Sequence, residues 1–290
     1  MLYVEPDFYR EFRCVAGECR HSCCKGWEID IDPDTAELYM QLPGELGEEL
    51  RKQVCQEPKP HFNLTTDERC PFLNSQGLCR LILGFGEDVL CDICREHPRF
   101  YNEFPERLEM GLGLCCEEAT RLLLMGQEPL KLIYEQEQEG EEQEPEILAI
   151  RRKVLDILAD TGKSMEQRMD ECYRLLETKG LDFDAAYWRD MFLSLERMDE
   201  AWTAALNSVK AAPESLPGNM AHTRLLQYML YRNMVDEEQE PALQLKFCFM
   251  SFYLICAMEL SGGELHELAR LWSAETEYSD ENIAILTARL

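Results

Sequence analysis

Positive charge is scarce in this sequence. Its 290 residues include 29 Lys or Arg against 56 Asp or Glu, a formal net charge of −27. A surface this acidic repels phosphate backbones and anionic lipid, so neither nucleic acid nor a membrane surface is expected as a partner. A basic partner, such as a lysine-bearing protein, is attracted, although the same surplus also serves plain solubility. The start, MLYVEPDFYREF, is acidic where a signal peptide is positive, and no apolar segment follows it. A cytoplasmic location is the expectation. Long apolar runs are missing too: the longest, residues 247–258 (FCFMSFYLICAM), is about a dozen residues against the roughly 20 that span a bilayer. It reads as a buried core helix. No G-x-S-x-G, H-E-x-x-H or Walker sequence occurs, which leaves out the common hydrolase, zinc-protease and nucleotide-loop signatures. Gly84-Phe-Gly86 and Gly111-Leu-Gly113 match G-x-G without the further glycine a dinucleotide loop needs, and no alternation of strands and helices accompanies them.

Cysteine is abundant. There are 14, eleven of them before residue 117, and only Cys172, Cys248 and Cys256 follow, in helical surroundings that suit small buried side chains. In a reducing compartment thiols persist as metal ligands, redox groups or packing residues rather than as disulfides. Ten fall into close-set groups: Cys14, Cys19, Cys23 and Cys24; Cys70, Cys79, Cys91 and Cys94; Cys115 and Cys116. Cys55 stands apart and reads as a packing residue. Four thiolates complete either a zinc site or a [4Fe-4S] cluster, so ten allow one centre with spares, or two centres. Neighbouring side chains diverge, so the adjacent pairs do not suit a single ion, and only Cys91-Asp-Ile-Cys94 has the C-x2-C spacing of zinc knuckles. An iron–sulfur cluster is at least as compatible as zinc, and a purely structural metal stays open. Beside Cys94 the chain reads CREHPRFYNEFP, where Arg95, His97 and Arg99 could bind an anionic cofactor group. The alternative is that these arginines pair with neighbouring carboxylates. His21 reads as a hydrogen-bonding residue.

The expected fold is mainly α, with an irregular cysteine-rich metal-binding half over residues 1–120 packed on an all-helical half over 121–290. Helices are expected at 33–42, entered through an Asp32 cap, and at 46–55. A small hairpin is expected around Asn74 to Gly77. After Cys116 helical periodicity predicts helices at 117–126, 129–134, 146–159, 164–178, 222–235, 242–260, 264–272 and 280–289, with a capping box opening the fourth. The acidic EQEQEGEEQEPE (135–146) reads as an exposed linker. Residues 183–209 read as one helix whose core face carries Tyr187, Met191, Leu195, Met198, Trp202 and Leu206.

Taken together, CVAGECRHSCCKGWEIDID, CPFLNSQGLC, LCDICREHPRFYN and LCCEEA, with the ending ARLWSAETEYSDENIAIL, resemble the flagellin lysine-N-methylase family, within a wider group of zinc- or iron-chelating cysteine-cluster proteins. The chain is shorter than typical members between the cysteine half and the last helices. The resemblance implies a bacterial protein-lysine methyltransferase using S-adenosylmethionine and an iron–sulfur cluster, with flagellin as its substrate. It maps the family's cysteine motifs onto Cys14, Cys19, Cys23, Cys24, Cys70, Cys79, Cys91, Cys94 and one or both of Cys115 and Cys116, without assigning which four hold the cluster. A lysine must lose its proton before its nitrogen attacks a methyl group. Tyr101 is the candidate catalytic residue for that step or for hydrogen bonding to the amine, and Trp27 and Phe100 are candidate faces for the cation. The alternative function is a non-enzymatic zinc or iron–sulfur protein that recruits a basic partner.

Overall fold

A computed structural model of the chain describes residues 1–136 and 144–290. Residues 137–143, the middle of the expected acidic linker, lie outside the described residues. The chain forms two compact units: a cysteine unit, Arg13–Phe100, and a larger unit, Met1–Phe12 with Tyr101–Leu290. Composition puts a boundary near residue 120, whereas compactness divides the chain after Phe12 and Phe100. The difference lies in strand pairing, because the first strand, β1 (Leu2–Pro6), is paired with segments that follow residue 100.

In the cysteine unit the elements are short: α1 (Pro33–Gln41), α2 (Gly44–Gln53), β2 (Val54–Cys55), β3 (His61–Phe62), α3 (Arg80–Phe85) and α4 (Asp92–Glu96). α1 starts as expected, with Asp32 accepting from the Thr35 N–H at 2.9 Å and Pro33 in the first turn, where its missing N–H costs nothing. The small hairpin is present as an antiparallel bridge between Leu73 and Cys79. Its turn is held by Asn74 Oδ1, which accepts from the N–H groups of Gln76 and Leu78, both at 2.9 Å. The core combines Ile29, Ile31, Leu50, Phe62, Phe72 and Leu81 with Tyr39, Cys70 and Cys91.

The larger unit carries a mixed sheet in the order β4–β5–β1–β6, where β4 is Arg99–Phe104, β5 Arg107–Leu112 and β6 Leu132–Gln136. β1 runs parallel to β5 and antiparallel to β6, in the registers Val4↔Glu109 and Val4↔Tyr134. The expected helix at 129–134 is therefore corrected to a strand, so the second half is not all-helical. Ile133 and Tyr134 favour a pleated surface, and pairing with β1 outweighs a short helical pattern.

Helices dominate the rest: α5 (Glu117–Met125), α6 (Glu146–Leu158), α7 (Met165–Leu175), α8 (Ala185–Ser194), α9 (Glu200–Ser208), α10 (Met220–Asn233), α11 (Pro241–Leu260), α12 (Leu265–Trp272) and α13 (Asp280–Thr287). A π-helical turn, Ser273–Glu277, follows α12. The capping box at Ser164 and Gln167 opens α7 as expected. The single helix expected at 183–209 is corrected to α8 and α9. Asp199 caps α9 through the Ala201 N–H, and the Glu275 carboxylate takes the N–H groups of Met198 and Asp199 at 2.9 and 2.7 Å, which fixes the break. The core face changes accordingly. Trp188, Phe192, Leu195, Trp202 and Leu206 are buried, whereas Tyr187 and Met198 are exposed.

α11 is apolar all round and is long and apolar enough to cross a membrane by length and composition alone. Within 247–258 every residue except Tyr253 is buried inside the protein, which is the environment of a core helix. Cys172, Cys248 and Cys256 are buried on α7 and α11 as expected.

Buried charge ties sheet to helices. Glu109 on β5 is fully buried, and its Oε1 accepts from Arg107 Nε at 2.9 Å and from Arg151 of α6 at 2.6 Å. Arg151 also donates to the Tyr231 carbonyl at 2.9 Å and lies over that ring, 5.0 Å from its centre. Glu109→Gln would remove the buried carboxylate shared by two buried guanidinium groups. Removing one partner of such a pair costs about 3–5 kcal/mol. The expected outcome is a fall of that size in stability to urea, read from tryptophan fluorescence, since Trp188, Trp202 and Trp272 all belong to this unit.

Candidate metal centre

Local backbone contacts gather the cysteines of three sequence-distant segments. The strand-like pieces 24–26 and 68–70 face one another: Gly26 N–H donates to the Glu68 carbonyl at 2.9 Å, and Cys70 N–H to the Cys24 carbonyl at 2.8 Å. Cys24 is thereby held beside Cys70. The Asn74 turn folds Cys79 back across Leu73, whose N–H donates to the Cys70 carbonyl at 3.1 Å. Cys91 and Cys94 share one helical turn of α4, with Arg95 N–H on the Cys91 carbonyl at 2.9 Å.

A single carboxylate brings α4 to α1. Asp32 Oδ1 caps α1, and its Oδ2 accepts from the Asp92 N–H at 2.9 Å. Burial alone would raise the Asp32 pKa, but these N–H groups outweigh it and hold the carboxyl below its ordinary value. The charge is therefore kept, and it stabilises both helix starts.

Cys24, Cys70, Cys79, Cys91 and Cys94 accordingly share one packed core. Their ionisation reflects this. The Cys24 thiol is brought down to about 7 by a hydrogen bond with Cys23, aided by Ser22 and the Arg69 charge and opposed by burial. Burial pushes Cys70 up to about 12, with the charges of Cys24, Cys79 and Cys91 adding to the effect. Cys79 is also raised, chiefly by burial, against the pull of the Leu81 and Ile82 N–H groups at the start of α3. In the Cys91–Cys94 pair the shared hydrogen bond favours the Cys91 thiolate and disfavours that of Cys94.

The other expected ligands have different surroundings. Cys14 is exposed and accepts from the Ala16 N–H, and Cys19 donates to the His21 carbonyl at 3.1 Å. Cys23 is exposed beside Cys24. Cys115 and Cys116 belong to the larger unit. The Cys115 N–H donates to Ser273 Oγ at 3.0 Å, and its thiol meets the Tyr278 hydroxyl. Burial raises the Cys115 pKa, against the Tyr278 hydrogen bond and the Arg232 charge. Gly113 lets the Tyr278 side chain approach, since a Cβ there would lie 2.0 Å from its hydroxyl and push the ring aside. The other G-x-G has an equally local cause: Gly86 ends α3 with φ of +93°.

Of the expected cofactor-binding residues, Arg95 is exposed and pairs with Asp92 and Glu96, as its alternative reading supposed. Arg99 is half-buried on β4. His97 packs near Trp27, with ring centres 6.4 Å apart, and burial takes its imidazole down to about 4, leaving it neutral at pH 7. Trp27 Nε1 donates to the Cys23 carbonyl at 2.7 Å, so this ring braces the first cysteine loop. Phe100 is half-buried, and Tyr101, in the larger unit, is exposed. Two residues had no site reading in the sequence: Tyr39 within the thiol core, and Asp32 as a link between helices rather than a cap alone. A cap signal is local, whereas the second bond of Asp32 spans sixty residues.

Among the described residues no three His, Cys, Asp or Glu side chains close on a common point as for a single ion. A tetrahedral zinc with bonds of about 2.3 Å would draw its sulfurs to about 3.8 Å from one another. A soft, thiol-only donor set nevertheless suits a thiophilic metal or cluster, and one buried polar atom without a hydrogen-bond partner, His97 Nε2, lies in this unit.

Comparison with known proteins gives partial likenesses. The chain is 27% identical over 128 residues to a lysine-N-methylase of Salmonella typhimurium, covering 42% of this chain and 32% of that protein. A lysine-N-methylase of Salmonella choleraesuis matches equally. The flagellar biosynthetic protein FliU of Salmonella muenchen is 26% identical over 128 residues, covering 76% of its length. These are distant relatives. The match spans about a third of the curated lysine-N-methylases. No family model and no solved structure matches.

In metal-free protein, alkylation of the Cys23–Cys24 pair should rise as pH passes about 7, where Cys24 becomes a thiolate, while Cys70 stays unmodified up to pH 9. Peptide mapping after iodoacetamide treatment between pH 5 and pH 9 checks this. Equal modification of both across the range would contradict the environments described.

Proposed function

We propose that the chain is a protein-lysine N-methyltransferase acting on flagellin, with S-adenosylmethionine as methyl donor and an iron–sulfur cluster held by the cysteine unit. The observation that carries this reading is the five-thiol core, found in a chain related to proteins named lysine-N-methylase and FliU. The net charge of −27 adds support, since it favours approach of a lysine-bearing surface.

Cys24, Cys70 and Cys79 with Cys91 or Cys94 would be the ligands. A four-iron cluster, in which each cysteine would bind its own iron, is the centre proposed for them. Such a centre would offset the charge of its ligand thiolates and would supply redox capacity if electrons are needed. The protein must bind the substrate lysine neutral, since the free amine has a pKa of about 10.4. The amine lone pair then forms a bond to the methyl carbon as the sulfonium–carbon bond breaks and S-adenosylhomocysteine leaves. Tyr101, exposed on β4, is the proposed group that takes the proton or orients the amine. Arg95, His97 and Arg99 are the proposed contacts of the donor's polar groups, with His97 acting as a neutral hydrogen-bonding group.

The test is methyl transfer from labelled S-adenosylmethionine to flagellin of the same organism, using the full chain loaded anaerobically with iron and sulfide. Labelled methyl-lysine is expected by peptide mass spectrometry, falling at least about tenfold with Cys91→Ser. A loaded, folded chain that labels no flagellin lysine would overturn the methylase reading.

A further inference from the structure

A cavity of about 170 Å³ in the larger unit lies among the α8–α9 break, the π-helical turn and the start of α13. Glu196, Met198, Glu275, Tyr278, Ser279 and Asn282 face it, and no lysine or arginine does. Glu275 is 5% exposed, and its two oxygens take one backbone N–H each, those of Met198 and Asp199. Among the described residues it has no ion pair. Arg197, whose charge reaches it, is held by the Leu195 carbonyl and Thr203, and Arg270 by Glu267 and Asp199. Asn282 is 3% exposed and gives its amide hydrogens to the carbonyls of Glu196 and Glu275, at 3.2 and 3.1 Å. Those bonds fix which end of the amide is oxygen. That oxygen, Oδ1, has no hydrogen-bond partner among the described residues.

Buried carboxylates are ordinarily paired with a positive charge, and buried amide oxygens with a donor. An ammonium group satisfies both, having three donors and one charge. Cofactor and drug-sized sites occupy about 300–1,000 Å³, so a cavity of this volume takes a single side chain rather than S-adenosylmethionine. Met198 and the Tyr278 ring supply apolar walls for a methylene stem. The Tyr278 hydroxyl is held by Cys115 and Arg232, and the Arg232 guanidinium lies 4.7 Å from the ring centre, paired with Glu277 at 3.3 Å. We propose that this cavity seats the ammonium of a lysine side chain from the protein partner, with Glu275, Glu196 and Asn282 Oδ1 as its acceptors. The inference rests on the protein-lysine reading above and deepens it by separating two lysines. Carboxylates stabilise the charged amine, whereas a lysine about to be methylated must be neutral. The seated lysine is therefore a recognition residue of the partner and not the one that reacts.

The probe is Nα-acetyl-lysine methylamide, titrated into the full chain and followed by amide NMR at about 0.15 M salt, which screens general attraction to an acidic surface. Saturable shifts are expected at the backbone amides of Ala274, Glu275 and Ser279 and at the Asn282 side chain, with none there when the probe is acetylated at Nε. Glu196→Lys, at an exposed position, should weaken this binding about tenfold, the size of one charge-assisted hydrogen bond. Asp156→Lys, the same charge change at an exposed position of α6, should alter it by less than about twofold. Shifts spread over the surface without saturation, equal weakening by both variants, or a guanidinium probe that binds as tightly overturns the proposal. This titration needs neither cluster nor methyl donor. A chain that binds lysine here but labels no flagellin keeps the pocket and loses the methylase reading. One that methylates flagellin with the same KM in Glu196→Lys as in the wild type keeps that reading and loses the pocket.

Discussion

The cysteine unit is organised by one electrostatic constraint: five thiols share a core too dry for several of them to be charged at once. Hydrogen bonds with Cys23 and Cys94 bring Cys24 and Cys91 down, burial above all pushes Cys70 and Cys79 up, the bond with Cys91 pushes Cys94 up, and the neighbouring thiolate charges add to the raised values of Cys70, Cys79 and Cys94. A cation is what would let all of them ionise together. The surrounding structure is built to hold this arrangement in short elements. Asp32 joins the starts of α1 and α4, the Cys24–Cys70 backbone contact closes one side, and the Asn74 turn closes another. None of these is a large hydrophobic interface.

The larger unit handles buried polarity differently. Glu109 pairs with both Arg107 and Arg151 between β5 and α6, Arg107 also lies 3.7 Å from Glu144, and the ring of Tyr231 on α10 covers the second arginine. Around them α10 and α11 supply a conventional apolar core. Cys115 belongs to this economy of local pairing, with Tyr278, Ser273 and Arg232 as its surroundings. The adjacent cysteines of the sequence therefore divide in two ways. Cys24 faces a thiol core while Cys23 is exposed, and the Cys115 thiol is engaged by a tyrosine.

This division bears on function. A chain that shared only a metal-stabilised fold with lysine-N-methylases would need four thiols and no more. Here a fifth thiol and a neutral imidazole accompany them in the same unit. Such polar residues lower stability unless a bound group engages them, and sites that bind are where this kind of cost is found. The acidic surplus of the whole chain gives it a general attraction for basic chains without specifying which one.

Much of the helical framework was legible in the sequence, because its signals are local. Asp32 and Pro33 announce α1, Ser164 and Gln167 announce α7, and the unbroken apolar run announces the buried α11. Local signals also misled where a distant partner intervened. The pattern at 183–209 reads as one helix until the Glu275 carboxylate takes the Met198 and Asp199 N–H groups. The segment after residue 129 reads as helix until β1 pairs with it. The sequence by itself determined that many cysteines would cluster and that the chain would be largely helical, since composition and period carry that information. Only the tertiary structure decided which thiols share a core, because loop closure by the backbone contacts of Cys24 and Cys70, and by the second oxygen of Asp32, joins residues that spacing alone cannot relate.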